Sequence, residues 1–187
     1  MSSTKITTSR RIAAMAVLAP VAYLLSIQPR IPFPPLPFLT FELWEVPVYF
    51  ALLFYDFKTA LGVEAIVFLV IMSRESFLLL GPVYNLIAVV LTMLGYLAAG
   101  RLSQGWGKLG VASGVALRVA GMSLVNWSLL RYPPPVGFSI PVPVLDATLW
   151  LYGVFNAVVA AYSLILALLL HTAVSRSFMG RRPQYPR

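Results

Sequence analysis

The chain has 187 residues, of which 59% are hydrophobic and only 11% charged. A soluble domain carries about 25% charged residues, so the composition excludes an ordinary soluble enzyme and fits an integral membrane protein. The formal net charge of +8 gathers at chain ends and between apolar runs, as topology signals do, and no aromatic-plus-basic motif accompanies it, which argues against nucleic-acid binding.

The length allows about six spans of about 20 residues, with short loops and no separate soluble domain. A first helix is expected from about Arg11 to Gln28. Its basic-then-apolar start resembles a signal peptide. No small-x-small cleavage site precedes the proline-rich stretch, so it is read as the first span. Pro29 to Pro37 holds five prolines, which exclude a regular helix and predict a stiff outer loop. A second helix is expected over about 41–55, with Glu42 and Glu45 at its start. Asp56, Phe57 and Lys58 read as a tight turn before a third helix, about 59–72. Arg74 to Pro82 turns the chain again, and a fourth helix follows over about 83–102. Ser103 to Gly107 reads as a short polar turn before a fifth helix, about 109–130. Tyr132 to Val144 holds five further prolines and reads as a second outer loop. A sixth helix over about 147–174 leads into a basic tail, 175–187.

With both termini on one side, that side holds ten Lys and Arg residues and the other holds three, Arg30, Arg74 and Arg131. This asymmetry predicts cytoplasmic termini and places both proline-rich loops outside. The expected fold is thus an all-α integral membrane protein, a compact bundle of six transmembrane helices in a single domain over 1–187.

The fifth helix carries the sharpest signal. Arg118, Met122 and Asn126 follow at steps of four, on one broad helix face. A charge and a carboxamide are costly in lipid, so each needs a partner, a cavity or a ligand. Asn126, Asn156 and Asn85 fall at one depth near the outer side, with Glu42, Glu45, Tyr84, Trp127, Trp150, Tyr152 and Phe155 near the same level. A carboxamide both donates and accepts, which suits the amide or imide edge of a heterocycle. Aromatic rings supply flat apolar walls. Together these point to an outward-facing pocket for a planar, polar-edged small molecule. The same aromatics also fit an interfacial belt, and the Asn residues fit helix packing. Arg118 lies deeper, at the depth of Glu64, which permits a structural ion pair between them. Ala13, Ala16, Ala19 and Ala22 form a small-residue stripe for close approach by another helix, from this chain or a partner.

No catalytic constellation is present in the sequence. The single histidine, His171, sits near the inner end of the sixth helix, where it suits the helix C-terminus. There is no metal-ligand cluster and no nucleophile elbow. The chain has no cysteine, hence neither disulfides nor thiolate metal sites. No enzymatic activity and no resident cofactor or metal are expected.

Four segments, in order, resemble the substrate-binding S components of energy-coupling factor (ECF) vitamin transporters, and among them the riboflavin-specific members. These are Arg10-Arg-Ile-Ala-Ala-Met-Ala; Pro-x-Leu-Pro-Phe-Leu-Thr-Phe-Glu-Leu-Trp-Glu-Val-Pro ending at Pro47; Gly81-Pro-Val-Tyr-Asn85; and Arg118-x3-Met-x3-Asn126-Trp with Phe155-Asn156. The resemblance implies six helices in a cell membrane and a vitamin bound near the outer face. It implies assembly with a transmembrane coupling subunit and two cytoplasmic ATPases that drive delivery inward. It makes Asn126 and Asn156 the ligand's hydrogen-bond partners. The loop around Leu39 and Thr40 would close over the ligand, and Glu42, Trp44, Asn85 and Trp127 are expected to complete the substrate-binding set. Ala13, Ala16 and Ala19 would dock on the coupling subunit. The sequence departs from the pattern at Val159, where riboflavin members carry Lys, and at Glu42 and Glu45, where the family carries Asp. Another vitamin or precursor is the alternative within the family. A membrane scaffold without transport is the alternative outside it.

Overall fold

The computed structural model describes residues 6–28, 30–74, 80–102 and 107–179. Most of the expected polar turn before the fifth helix, and the last eight residues of the basic tail, lie outside these. The described residues form six helices and one hairpin: α1 (Thr8–Ser26), β1 (Ile31–Phe33), β2 (Leu36–Phe41), α2 (Glu45–Phe54), α3 (Phe57–Arg74), α4 (Leu80–Leu102), α5 (Lys108–Leu129) and α6 (Val142–Met179).

Four helical stretches are long and apolar enough to cross a membrane: Thr8–Ser26, Gly81–Gly100, Lys108–Leu129 and Val142–Ser177. Their outward faces are apolar, with Val17 at 63%, Leu124 at 68% and Leu169 at 61% exposure. Such a collar is unfavourable in water and neutral in lipid. α2 has only 10 residues, about 15 Å at 1.5 Å per residue, half a bilayer core. It is instead the buried centre of the bundle. Val48, Tyr49 and Ala51 are fully enclosed, and α2 packs on α1, α3 and α6.

The first proline-rich stretch is a β-hairpin rather than an irregular loop. Ile31 pairs with Phe41 and Pro32 with Thr40, antiparallel, with an irregularity between Pro32 and Phe33. Proline is tolerated because both strands of a two-stranded ribbon are edges, and a missing N–H can face outward. The hairpin consumes residues 36–41, so the second helix begins at Glu45 instead of 41 and Glu42 lies before it. At the other end of the chain, α6 is longer than expected, because its first turn starts within the second proline-rich stretch at Val142.

Close helix approach is achieved through glycine. A Cβ on Gly95 would lie 2.5 Å from the Ser113 carbonyl oxygen and 2.9 Å from Gly114 Cα, so α4 and α5 touch almost backbone to backbone. A Cβ on Gly62 would collide with Met15 Sδ, so between α3 and α1 the space at glycine is filled by a side chain instead. At one end of the bundle, Arg11 of α1 reaches Asp56 at the α2–α3 turn, at 2.6 and 2.9 Å. Asp56 also accepts the Thr59 backbone N–H at 2.8 Å, so it caps α3.

The alanine stripe on α1 is split by this packing. Ala19 and Ala22 are buried in the core, whereas Ala13 and Ala16 are exposed. Steps of three fall about 60° short of a full turn each time, so the stripe winds around the helix. Ala19 is therefore a core contact of this chain, not a surface residue.

Candidate functional site

A cavity of about 290 Å³ lies between the hairpin, α4, α5 and α6, near the lower end of the roughly 300–1,000 Å³ of small-molecule sites. The hairpin and the segment after it contribute Phe38, Leu39, Thr40, Glu42 and Trp44. α4 contributes Tyr84, Asn85 and Ala88. α5 presents Arg118, Met122 and Asn126, the residues at steps of four. α6 presents Tyr152, Phe155, Asn156 and Val159. Leu39, Thr40, Glu42, Trp44, Asn85, Asn126 and Asn156 thus converge as expected from the sequence. Trp127 does not. It is 41% exposed, its indole N–H donates to Asp146 at 3.1 Å, and the Arg131 guanidinium lies 4.9 Å over its ring. One residue past Asn126 is a rotation of about 100°, which carries Trp127 out of the cavity.

Aromatic contacts hold the hairpin over the cavity. Phe33 and Phe41 flank Phe155 of α6 at 5.8 and 5.2 Å between centroids. Phe38 meets Phe138 of the α5–α6 connection at 5.9 Å and Tyr152 at 6.2 Å. That connection folds back on the end of α5, where the Leu130 carbonyl accepts the N–H groups of Phe138 and Ile140, both at 3.1 Å. Gly137 is obligatory in this turn, since a Cβ there would overlap the Leu129 carbonyl oxygen.

Glu42 closes one side. Its carboxylate meets Arg30 at 3.0 Å and accepts the Thr40 hydroxyl at 2.9 Å, while its backbone carbonyl accepts the Tyr162 hydroxyl at 2.5 Å. Burial pushes the Glu42 carboxyl above its ordinary range, against the pull of Arg30 and Thr40. Glu42 also borders a second, larger and almost wholly apolar hollow of about 580 Å³ on the α1–α6 flank. The cavity with the carboxamides carries the polar chemistry, so it is the candidate site.

Arg118 is the correction of most consequence. Its partner is Glu45, not Glu64. The guanidinium grips Glu45 through Nη1 at 2.6 Å and Nη2 at 3.0 Å. It also meets the Tyr49 hydroxyl at 3.4 Å and donates from Nε to Asn156 Oδ1 at 2.9 Å. Depth along the helices allowed Glu64, but depth leaves the direction around the axis open. Glu64 is 1% exposed, and its Oε2 has no hydrogen-bond partner among the described residues. Arg118 therefore belongs to the cavity wall rather than to a layer beneath it. Tyr49 and Arg30 carry no signal in the sequence that would place them at the site. Glu45 is expected at the level of the pocket beside Glu42, and the structure adds its partner, Arg118.

No protein-family model matches this sequence, and no curated protein matches it. A solved structure does match: the S component of a bacterial ECF transporter, 18% identical, with a TM-score of 0.75 over 92% of this chain and 99% of that one. The two chains share one fold over nearly their whole lengths, and four helices of this chain are long and apolar enough to cross a membrane.

Proposed function

We propose that this chain is the substrate-binding S component of an ECF-type importer and that riboflavin is its ligand. The observation that carries this reading is the cavity of about 290 Å³ walled by aromatics and carrying Asn85, Asn126 and Asn156, set inside a fold shared with an S component. Its shape and chemistry suit a planar heterocycle with an amide edge. The choice of riboflavin comes from the ordered sequence resemblance, in which Asn126 and Asn156 hold that edge. Six helices would sit in the cell membrane with both termini in the cytoplasm, in keeping with the Lys and Arg asymmetry. The hairpin and the α5–α6 connection would then cover the cavity from outside. A transmembrane coupling subunit and two cytoplasmic ATPases would complete the importer, with Ala13 and Ala16 on the exposed face of α1 offering a close docking surface.

A second ligand within the same reading is another vitamin or a nucleobase-like precursor. Val159 favours it, since this side chain lines the cavity where riboflavin members place a Lys donor. Purification in detergent decides between them. Riboflavin predicts a yellow protein with a flavin absorbance band, or one that takes up added riboflavin at micromolar concentration. A folded protein that ignores micromolar riboflavin selects the other ligands. Co-purification with an ATPase pair from the native membrane supports transport over a scaffold role.

A further inference from the structure

Asn126 and Asn156 face the same cavity, yet their amides differ in freedom. Asn156 Oδ1 accepts from Arg118 Nε at 2.9 Å, and Asn156 Nδ2 donates to the Tyr152 carbonyl at 2.9 Å. A guanidinium only donates and a backbone carbonyl only accepts. Rotating this amide by half a turn would set N–H against N–H and oxygen against oxygen, in a site 5% exposed. Such burial makes an unmet pair costly. The guanidinium cannot yield either, because Glu45 holds it with two hydrogen bonds. Asn126, by contrast, makes no side-chain hydrogen bond among the described residues, so nothing fixes its oxygen and nitrogen.

The capacity left on Asn156 is one N–H and one lone pair. That lone pair belongs to an oxygen already polarised by a cation, which weakens it as a second acceptor. We infer that the Arg118–Glu45 pair is a positioning unit that locks Asn156 as a hydrogen-bond donor to the ligand. The ligand atom at Asn156 must then be an acceptor, such as a carbonyl oxygen or a ring nitrogen. Asn126 turns to suit either polarity, so one edge of the ligand is read strictly and the other tolerantly. This deepens the proposed function and takes from it the ligand-binding role of the cavity and riboflavin as probe, whereas the lock stands on the contacts of Asn156 with Arg118 and Tyr152.

The lock is testable without ligand. In nitrogen-15-labelled full-length protein in detergent, side-chain amide relaxation should show Asn156 rigid and Asn126 mobile on the nanosecond scale. Arg118→Lys, which cannot supply both the fork to Glu45 and the Nε donor, should make Asn156 as mobile as Asn126. A mobile Asn156 in the unsubstituted protein overturns the inference, and so does a rigid one in folded R118K. If R118K fails to fold, the unsubstituted protein alone decides. The donor role is read by Asn156→Asp at pH 8, which keeps the shape and removes the N–H. Riboflavin affinity should fall at least 100-fold, and a fall under threefold overturns the donor assignment. Absence of riboflavin binding to the unsubstituted protein defeats the riboflavin reading instead, and the relaxation result still stands or falls by itself.

Discussion

Glu45 in the first turn of α2 and Arg118 in the middle of α5 are 73 residues apart and joined by two hydrogen bonds of 2.6 and 3.0 Å. Both side chains are nearly sealed, at 4% and 3% exposure. Removing one partner leaves an uncompensated buried charge, at a cost of about 3–5 kcal/mol. Glu45→Gln is expected to destabilise the protein by that order, measured by denaturant unfolding in detergent. Replacing both together, Glu45→Gln with Arg118→Met, should recover part of the loss, because no lone charge remains.

Glu64 should behave oppositely. It is buried and its Oε2 is unpartnered, so neutralising it removes a desolvation cost and breaks no observed pair. Glu64→Gln is expected to leave the melting temperature unchanged or raise it. A fall as large as that of Glu45→Gln would restore Glu64 as a partner of Arg118.

Asp56 sets a pH dependence. Burial pushes its carboxyl up, but the Thr59 N–H and hydroxyl and the Arg11 guanidinium outweigh this and hold it below its ordinary 3.8. A depressed folded value means the stabilisation is full above 3.8 and fades as pH falls through the lower folded value. Asp56→Ala removes a helix cap, so it should cost about 1 kcal/mol at neutral pH. The gap between the two proteins should stay flat from about pH 7 to 5 and shrink below about pH 4. A gap that widens on acidification would refute the assignment.

Gly137 controls the cover of the cavity. Gly137→Ala must displace the turn from the Leu129 and Tyr132 carbonyls, carrying Phe138 away from Phe38. With riboflavin as the ligand, as proposed, its dissociation, followed by fluorescence recovery, should quicken by about tenfold, the equivalent of about 1.4 kcal/mol. Unfolding stability should change less than for Glu45→Gln, because the turn lies outside the main core.

Much of this molecule is written locally in its sequence. Hydropathy and length determine a helical membrane protein, because a bilayer leaves few other ways to satisfy the backbone. Helical period places Arg118, Met122 and Asn126 on one face, and the structure sets all three in one cavity wall. The prolines rule out a helix over 29–37, but not what replaces it, since an isolated two-stranded ribbon needs outside packing to persist. Here Phe155 and Tyr152 supply it from over a hundred residues away. The same limit explains Ala19, which the rotation of α1 turns inward, and Trp127, which the rotation of α5 turns outward. Above all, the tertiary structure alone decides that Arg118 holds Glu45 rather than Glu64, and so which of two similar carboxamides is fixed. Sequence period says which residues share a helix face. Only packing says what that face meets, because it sets each helix's rotation about its own axis.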